Sequence, residues 1–253
     1  MAPLSPHLVT HPHTVINRLS LSFSALLVLV SAAVLPGSSS AQVIGYDPDK
    51  SPYRDVDTPQ ALSIFGGYLH AAQDPAQVAP QSAAVIGARD QIHLGGPAMV
   101  ILRLTHSFSE RTEINPALPA SSRFVATLSA PLTFFDASMG FNLFGERAWH
   151  NLQPEINIGA GLVSDLGVPP DVGGYSFGTK FDITFGGGIR WVSRGGRWGL
   201  HLNTDAYIYQ VKYPASYHTV AIDGSQVIPS SQSLTAYRTN GMFIFGISYA
   251  FVH

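Results

Sequence analysis

Seven ionisable residues fall in stretches of alternating polarity: Arg103, Asp136, Glu155, Lys180, Asp182, Arg190 and Asp205. Four acids set against three bases could pair into a buried ionic lattice, since an unpartnered charge away from water is costly. Asn157, His201 and Asn203 share the same parity along their segments and could hydrogen-bond within it. Catalytic spacing is harder to find. Lipid deacylation would need a serine activated by a histidine and an acid. His150 with Glu146, and His218 with Ser216 and Asp223, are the available sets, but they sit in turns or loops without a nucleophile motif. "FGGGIR" (185–190) looks superficially like a phosphate loop, yet no Lys-Ser/Thr and no helix follow it; strand glycines facing a crowded interior explain it better. The ten histidines form no HExxH or comparable metal spacing. The absence of cysteine removes disulfides, thiol catalysis, thiolate zinc sites and a lipoprotein anchor. No catalytic, cofactor or metal site is expected.

The elements that would position these residues are strands. Beyond residue 60 the polarity alternates with period two between turn signals. The pattern predicts eight strands at 61–71, 83–94, 97–109, 123–144 (with Pro131 as a place to bend), 151–164, 179–193, 197–213 and 239–252. In "TKFDITFGGGIRWVS", Phe181, Ile183, Phe185, Ile189 and Trp191 share one face, while Lys180, Asp182, Thr184 and Arg190 share the other. "RWGLHLNTDAYIY", "PEINIGAGLV", "FFDASMGFNLF" and the closing "MFIFGISYAF" alternate in the same way. The first two strands alternate less cleanly, and Asp90 falls on the apolar face of its segment. Short links (95–96, 145–150, 194–196) take turns with long ones (72–82, 110–122, 165–178, 214–238). That is the signature of an up-and-down barrel with tight turns on one rim and extended loops on the other.

The beginning of the chain bears on its compartment. Residues 1–46 contain no acid and a single base, Arg18. An apolar run from Leu19 to Leu35 follows, then Pro36, Gly37 and small residues up to Ala41, the layout of a secretory signal peptide cut after Ala41. The expected organisation is a signal peptide at 1–41, an irregular N-terminal segment at 42–60 and one barrel at 61–253. No later segment is apolar enough to cross a membrane as a helix. Only 12% of residues are charged, about half the usual share for a soluble domain. With no run of basic residues, nucleic acid is not an expected partner.

Alternation does not say which face meets solvent. A soluble carrier would hide the apolar residues around a ligand, whereas a membrane barrel turns them to lipid. The polar face settles the expectation, because Gly, Ser, Asn and isolated ions of both signs suit a crowded interior better than a wet surface. Eight strands enclose a lumen only just wide enough for side chains. Trp149, Trp191 and Trp198 all flank the short turns, and Tyr249 and Phe251 end the last strand at that rim. Such aromatics favour the membrane–water boundary.

The architecture of 61–253 and the closing "FGISYAF" resemble the small outer-membrane β-barrel proteins of Gram-negative bacteria, typified by the membrane domain of outer membrane protein A. "GYDPDKSPYRD" and "ERAWHNLQPEINIGAGL" are also similar to pieces of uncharacterised outer-membrane barrels. The chain departs from the family's terminal signal by adding Val252 and His253 after Phe251. The resemblance implies an all-β, eight-stranded, antiparallel up-and-down transmembrane barrel in a bacterial outer membrane. It implies outer-membrane lipid and, through the C-terminal strand, the assembly machinery as partners; a monomer is expected. It brings no activity. The expected function is a non-enzymatic structural role or the display of loops such as 214–238. A lipid-modifying enzyme and a small solute or ion pore are the alternatives.

Overall fold

The computed structural model describes residues 51–56 and 58–251. The leader at 1–41, its cleavage site and residues 42–50 lie outside the described residues. Twelve strands follow in order: β1 (Tyr53–Asp55), β2 (Gln60–His70), β3 (Ala83–Gly95), β4 (Ala98–Ser107), β5 (Glu110–Ile114), β6 (Phe124–Ser129), β7 (Leu132–Asn142), β8 (Arg147–Trp149), β9 (Leu152–Ser164), β10 (Thr179–Val192), β11 (Trp198–Lys212) and β12 (Thr235–Phe251). Eight of them run antiparallel in the order β2-β3-β4-β7-β9-β10-β11-β12, and β12 pairs back onto β2. The sheet is therefore a closed eight-stranded barrel with no free edge.

The eight expected strands all appear, with their ends shifted by a few residues. Two differences have local causes. The long strand expected at 123–144 breaks at Ala130–Pro131, where the proline cannot donate to a ladder. Its first part, β6, pairs with β5 in a separate hairpin, so the link expected at 110–122 is partly strand. The last strand begins at Thr235 and shortens the final loop to 213–234. The segment expected to be irregular also carries β1, which pairs with β8 through Tyr53↔Trp149.

The period-two pattern sorts the side chains as expected. Phe243, Phe245, Ile247, Tyr249 and Phe251 are exposed on the outer wall, as are Phe181, Ile183, Phe185, Ile189 and Trp191. Along β10 the outward apolar face from Phe181 to Trp191, at about 3.3 Å per residue and a tilt of about 40°, spans roughly 25 Å, the height of an outer-membrane barrel's apolar band. Inward residues include glycine, small and polar side chains and paired ions, together with large apolar ones such as Phe134, Val163 and Met242. Glycines on the inner wall admit side chains leaning over from the next strand: Ser138 and Asp136 of β7 over Gly159 and Gly161, Asp205 and Asn203 of β11 over Gly186 and Gly188. A Cβ at any of these would collide with the neighbouring strand.

Candidate functional site: the packed lumen and its loop cap

The lumen holds two hydrogen-bonded groups. In one, Arg103 bridges Asp136 (Nε to Oδ1, 3.2 Å) and Asp205 (Nη1 to Oδ2, 2.6 Å). Tyr207 donates its hydroxyl to Asp136 at 3.1 Å, and Asn157 donates to Asp205 at 3.0 Å. In the other, Arg89 donates to Glu155 (2.7 Å) and to Asn203 (3.2 Å), Asn203 donates to Glu155 (2.6 Å), and His201 Nδ1 lies 3.1 Å from the Asn203 carbonyl oxygen. Seven of the ten residues expected in a polar lumen thus join these groups, two more (Asp182 and Arg190) lie buried on the same wall, and β4, β7, β9 and β11 are tied across the interior.

Three placements differ from simple pairing. Lys180 is half-buried at the long-loop end, its Nζ 5.8 Å from the centre of the Phe177 ring, and it joins neither group. Arg89 is the third lumen base instead. It was hidden by the weak alternation of β3, where Asp90 beside it faces outward and accepts from the Gln60 side chain at 3.0 Å. Counting inward from Val85 through Gly87 to Arg89 would have found it. Asp182 and Arg190 are buried on the inner wall, and their charged atoms have no protein hydrogen-bond partner.

At the short-turn rim, Trp149, Trp191, Trp198, Tyr249 and Phe251 are all exposed outward, with Trp198 and Tyr249 directly paired across strands. Tyr68, Phe108 and Phe181 supply outward aromatics nearer the opposite rim. Tyr207 and Tyr209 point inward, as their parity requires.

Above the barrel the long loops pack into a cap. Tyr213 stacks between Tyr175 and Tyr217, with ring centres 6.1 Å apart on each side. These rings continue the apolar core that Phe134, Val163, Tyr207 and Tyr209 form inside the upper barrel. Arg111 of the β5–β6 hairpin lies over Tyr175 and pairs with Asp171 at 2.6 Å. Arg238 pairs with Asp74, which also accepts from the Tyr213 hydroxyl. Burial, then the bond to Asp74, push the Tyr213 hydroxyl up to about 12. Burial likewise raises Tyr175 and Tyr217. The final loop is pinned to the hairpin tip where Asp223 accepts from Ser225 and from the Ala120 amide (2.8 Å), bonds that hold its carboxyl down at about 2.

The residues weighed as catalytic sets are not assembled. The Ser216 hydroxyl donates to the Gly173 carbonyl, Asp223 is engaged as described, and Glu146 accepts from the Gly96 amide. His150 packs edge-on against Trp149. No hydrogen bond joins Ser216, His218 and Asp223 to one another among the described residues.

A closed antiparallel barrel with an apolar outer wall, an ionic lumen and aromatic residues at its rims defines the class of eight-stranded transmembrane β-barrels. No family model and no curated protein matches the sequence. Among solved structures, the fold is similar to Neisserial surface protein A (11% identity, 77% of this chain and 98% of that one, TM-score 0.46). It is also similar to the outer membrane protein OprG of Pseudomonas aeruginosa (9% identity, 78% and 98%, TM-score 0.43) and to Ail, the attachment invasion locus protein of Yersinia pestis (12%, 76% and 99%, TM-score 0.34).

Proposed function

We propose that this chain is an outer-membrane protein that acts without catalysis, as a rigid platform holding a preformed loop surface outside the cell. The observation that carries the reading is the continuity of barrel and cap. One apolar core runs from Phe134 and Tyr207 inside the wall to Tyr175, Tyr217 and Ile228 in the loops. Loops that served only to connect strands would need neither stacked tyrosines nor a buried ion pair such as Arg111–Asp171. The cap leaves Val172, Val220 and Ile222 exposed, Ile222 at 97%. In this reading the apolar wall meets lipid acyl chains, the chain is exported by a leader removed after Ala41, the C-terminal strand addresses the assembly machinery, and the barrel works as a monomer.

The test is expression of the full chain with its own leader in a Gram-negative host. Sedimentation with outer membranes and heat-modifiable gel mobility are expected, with no sustained conductance in planar bilayers and an unaltered lipid profile. Recovery from the periplasm without detergent would overturn the address. Steady conductance or modified lipid would overturn the platform role.

A further inference from the structure

Among the buried side-chain oxygens of the inner wall that lack a protein partner, four lie close in the register: both carboxylate oxygens of Asp182, Oγ1 of Thr184 and Oγ of Ser138. The register brings them together. Asp182 of β10 is opposite Gly161 of β9, which is opposite Asp136 of β7. In the next row Thr184 is opposite Gly159, which is opposite Ser138. The two glycines contribute no side chain, so these groups border a single patch of the wall. Asp182 and Thr184 are 0% exposed, which denies the carboxylate its hydration.

The surrounding charges do not compensate it. β7 presents Asp136, β11 presents Tyr207, Tyr209 and Asp205, β4 presents Arg103, and β9 presents only glycine in these rows. Arg103 is already shared by Asp136 and Asp205. Arg89 is committed to Glu155. Arg190 lies eight residues along β10 toward the other rim, about 26 Å of strand away. Lys180, two residues before Asp182 on the same face, is only half-buried and its Nζ lies at the Phe177 ring, so among the acids of the wall Asp182 alone has no base hydrogen-bonded to it.

We propose that Asp182, Thr184 and Ser138 form a binding site inside the barrel for one unit of positive charge, supplied by a proton or by a desolvated alkali cation. The donor set is all oxygen, which suits either occupant and disfavours softer metals. Filling the site neutralises the Asp182 carboxylate where it stands.

The experiment uses the full barrel refolded in lipid vesicles, as wild type, Asp182→Asn and Thr184→Val. Infrared spectra are taken from acidic to alkaline buffer, and urea midpoints in sodium, potassium and choline chloride at equal ionic strength. If a proton fills the site, the wild type has a protonated-carboxyl band that persists at neutral pH, weakens by one group in Asp182→Asn and shifts in Thr184→Val. If an alkali ion fills it, the wild-type midpoint falls in choline, Asp182→Asn does not respond, and Thr184→Val needs about tenfold more salt for the same midpoint. A wild type with neither the band nor a salt-specific midpoint overturns the proposal, as does an Asp182→Asn protein that matches the wild type in both. Should Asp182→Asn not fold, the Thr184→Val comparison decides alone.

Discussion

Arg103 and Asp205 are 102 positions apart in sequence and meet at 2.6 Å inside the barrel, both buried. The same guanidinium reaches Asp136, so a single side chain ties β4 to β7 and β11. Replacing it by methionine strands two carboxylates, and breaking a buried pair from one side costs about 3–5 kcal/mol. Arg103→Met should lower the urea midpoint accordingly. Adding Asp136→Asn and Asp205→Asn should recover much of the loss, which a gel-mobility unfolding titration can follow.

Phe245 lies midway along the outward face of β12, whereas Tyr249 is beside Trp198 at the rim. Arginine on a lipid-facing position costs about 2–4 kcal/mol at the midplane and about 0–1 near an interface. Phe245→Arg should therefore destabilise the barrel in lipid far more than Tyr249→Arg. Equal effects would mean that the wall does not face hydrocarbon.

Two glycines on opposite sides of the wall make a paired test of the inner packing. A Cβ on Gly161 would meet the carbonyl of Phe135 and lie 2.8 Å from the Cα of Asp136, while a Cβ on Gly66 meets only the Val85 carbonyl at 3.7 Å. Gly161→Ala forces the β7–β9 pair apart and should cost about 1–3 kcal/mol. Gly66→Ala should leave the yield of heat-modifiable protein unchanged.

The final loop has a pH signature. Bonds from Ser225 and Ala120 hold the Asp223 carboxyl at about 2, below its ordinary value. A depressed acid contributes stability above its unfolded value and loses it as pH falls through the folded one. Loop docking should thus weaken progressively as pH falls below the ordinary carboxylate value and lose this contribution fully near pH 2. Asp223→Asn should be more readily cleaved by protease at 220–226 at neutral pH, because the charge-assisted bond to Ala120 is weakened.

The fold was legible because alternation is a local property. A strand with lipid on one side and a crowded lumen on the other writes its two faces into every second residue, and β10, β11 and β12 carry that record cleanly. Arg89 was obscured because Asp90 breaks the pattern on the outward face. Partner choice was not legible: His201 bonds to Asn203 two residues on, and nothing in the sequence says that Glu155 takes Arg89 and leaves Arg190 unbonded. Such pairings depend on stagger between strands distant in the chain. The cap was missed for a related reason, since Tyr175, Tyr213 and Tyr217 come from two loops whose convergence no periodicity announces.

At the short-turn rim, β1 pairs with β8, Val56 packs against Ala148 and Val192, and Arg54 donates to the carbonyls of Val192, Ser193 and Arg194. Those partners lie in the turn between β7 and β9 and at the end of β10. The strap at 53–56 can pair with β8 once the turn between β7 and β9 forms, but Arg54 and Val56 gain their β10 partners only when that strand is in the wall. A barrel halted before β10 would leave Arg54 without its carbonyl partners, so protease access to Arg54 tells whether that strand has joined, a readout that needs no knowledge of what the finished protein does.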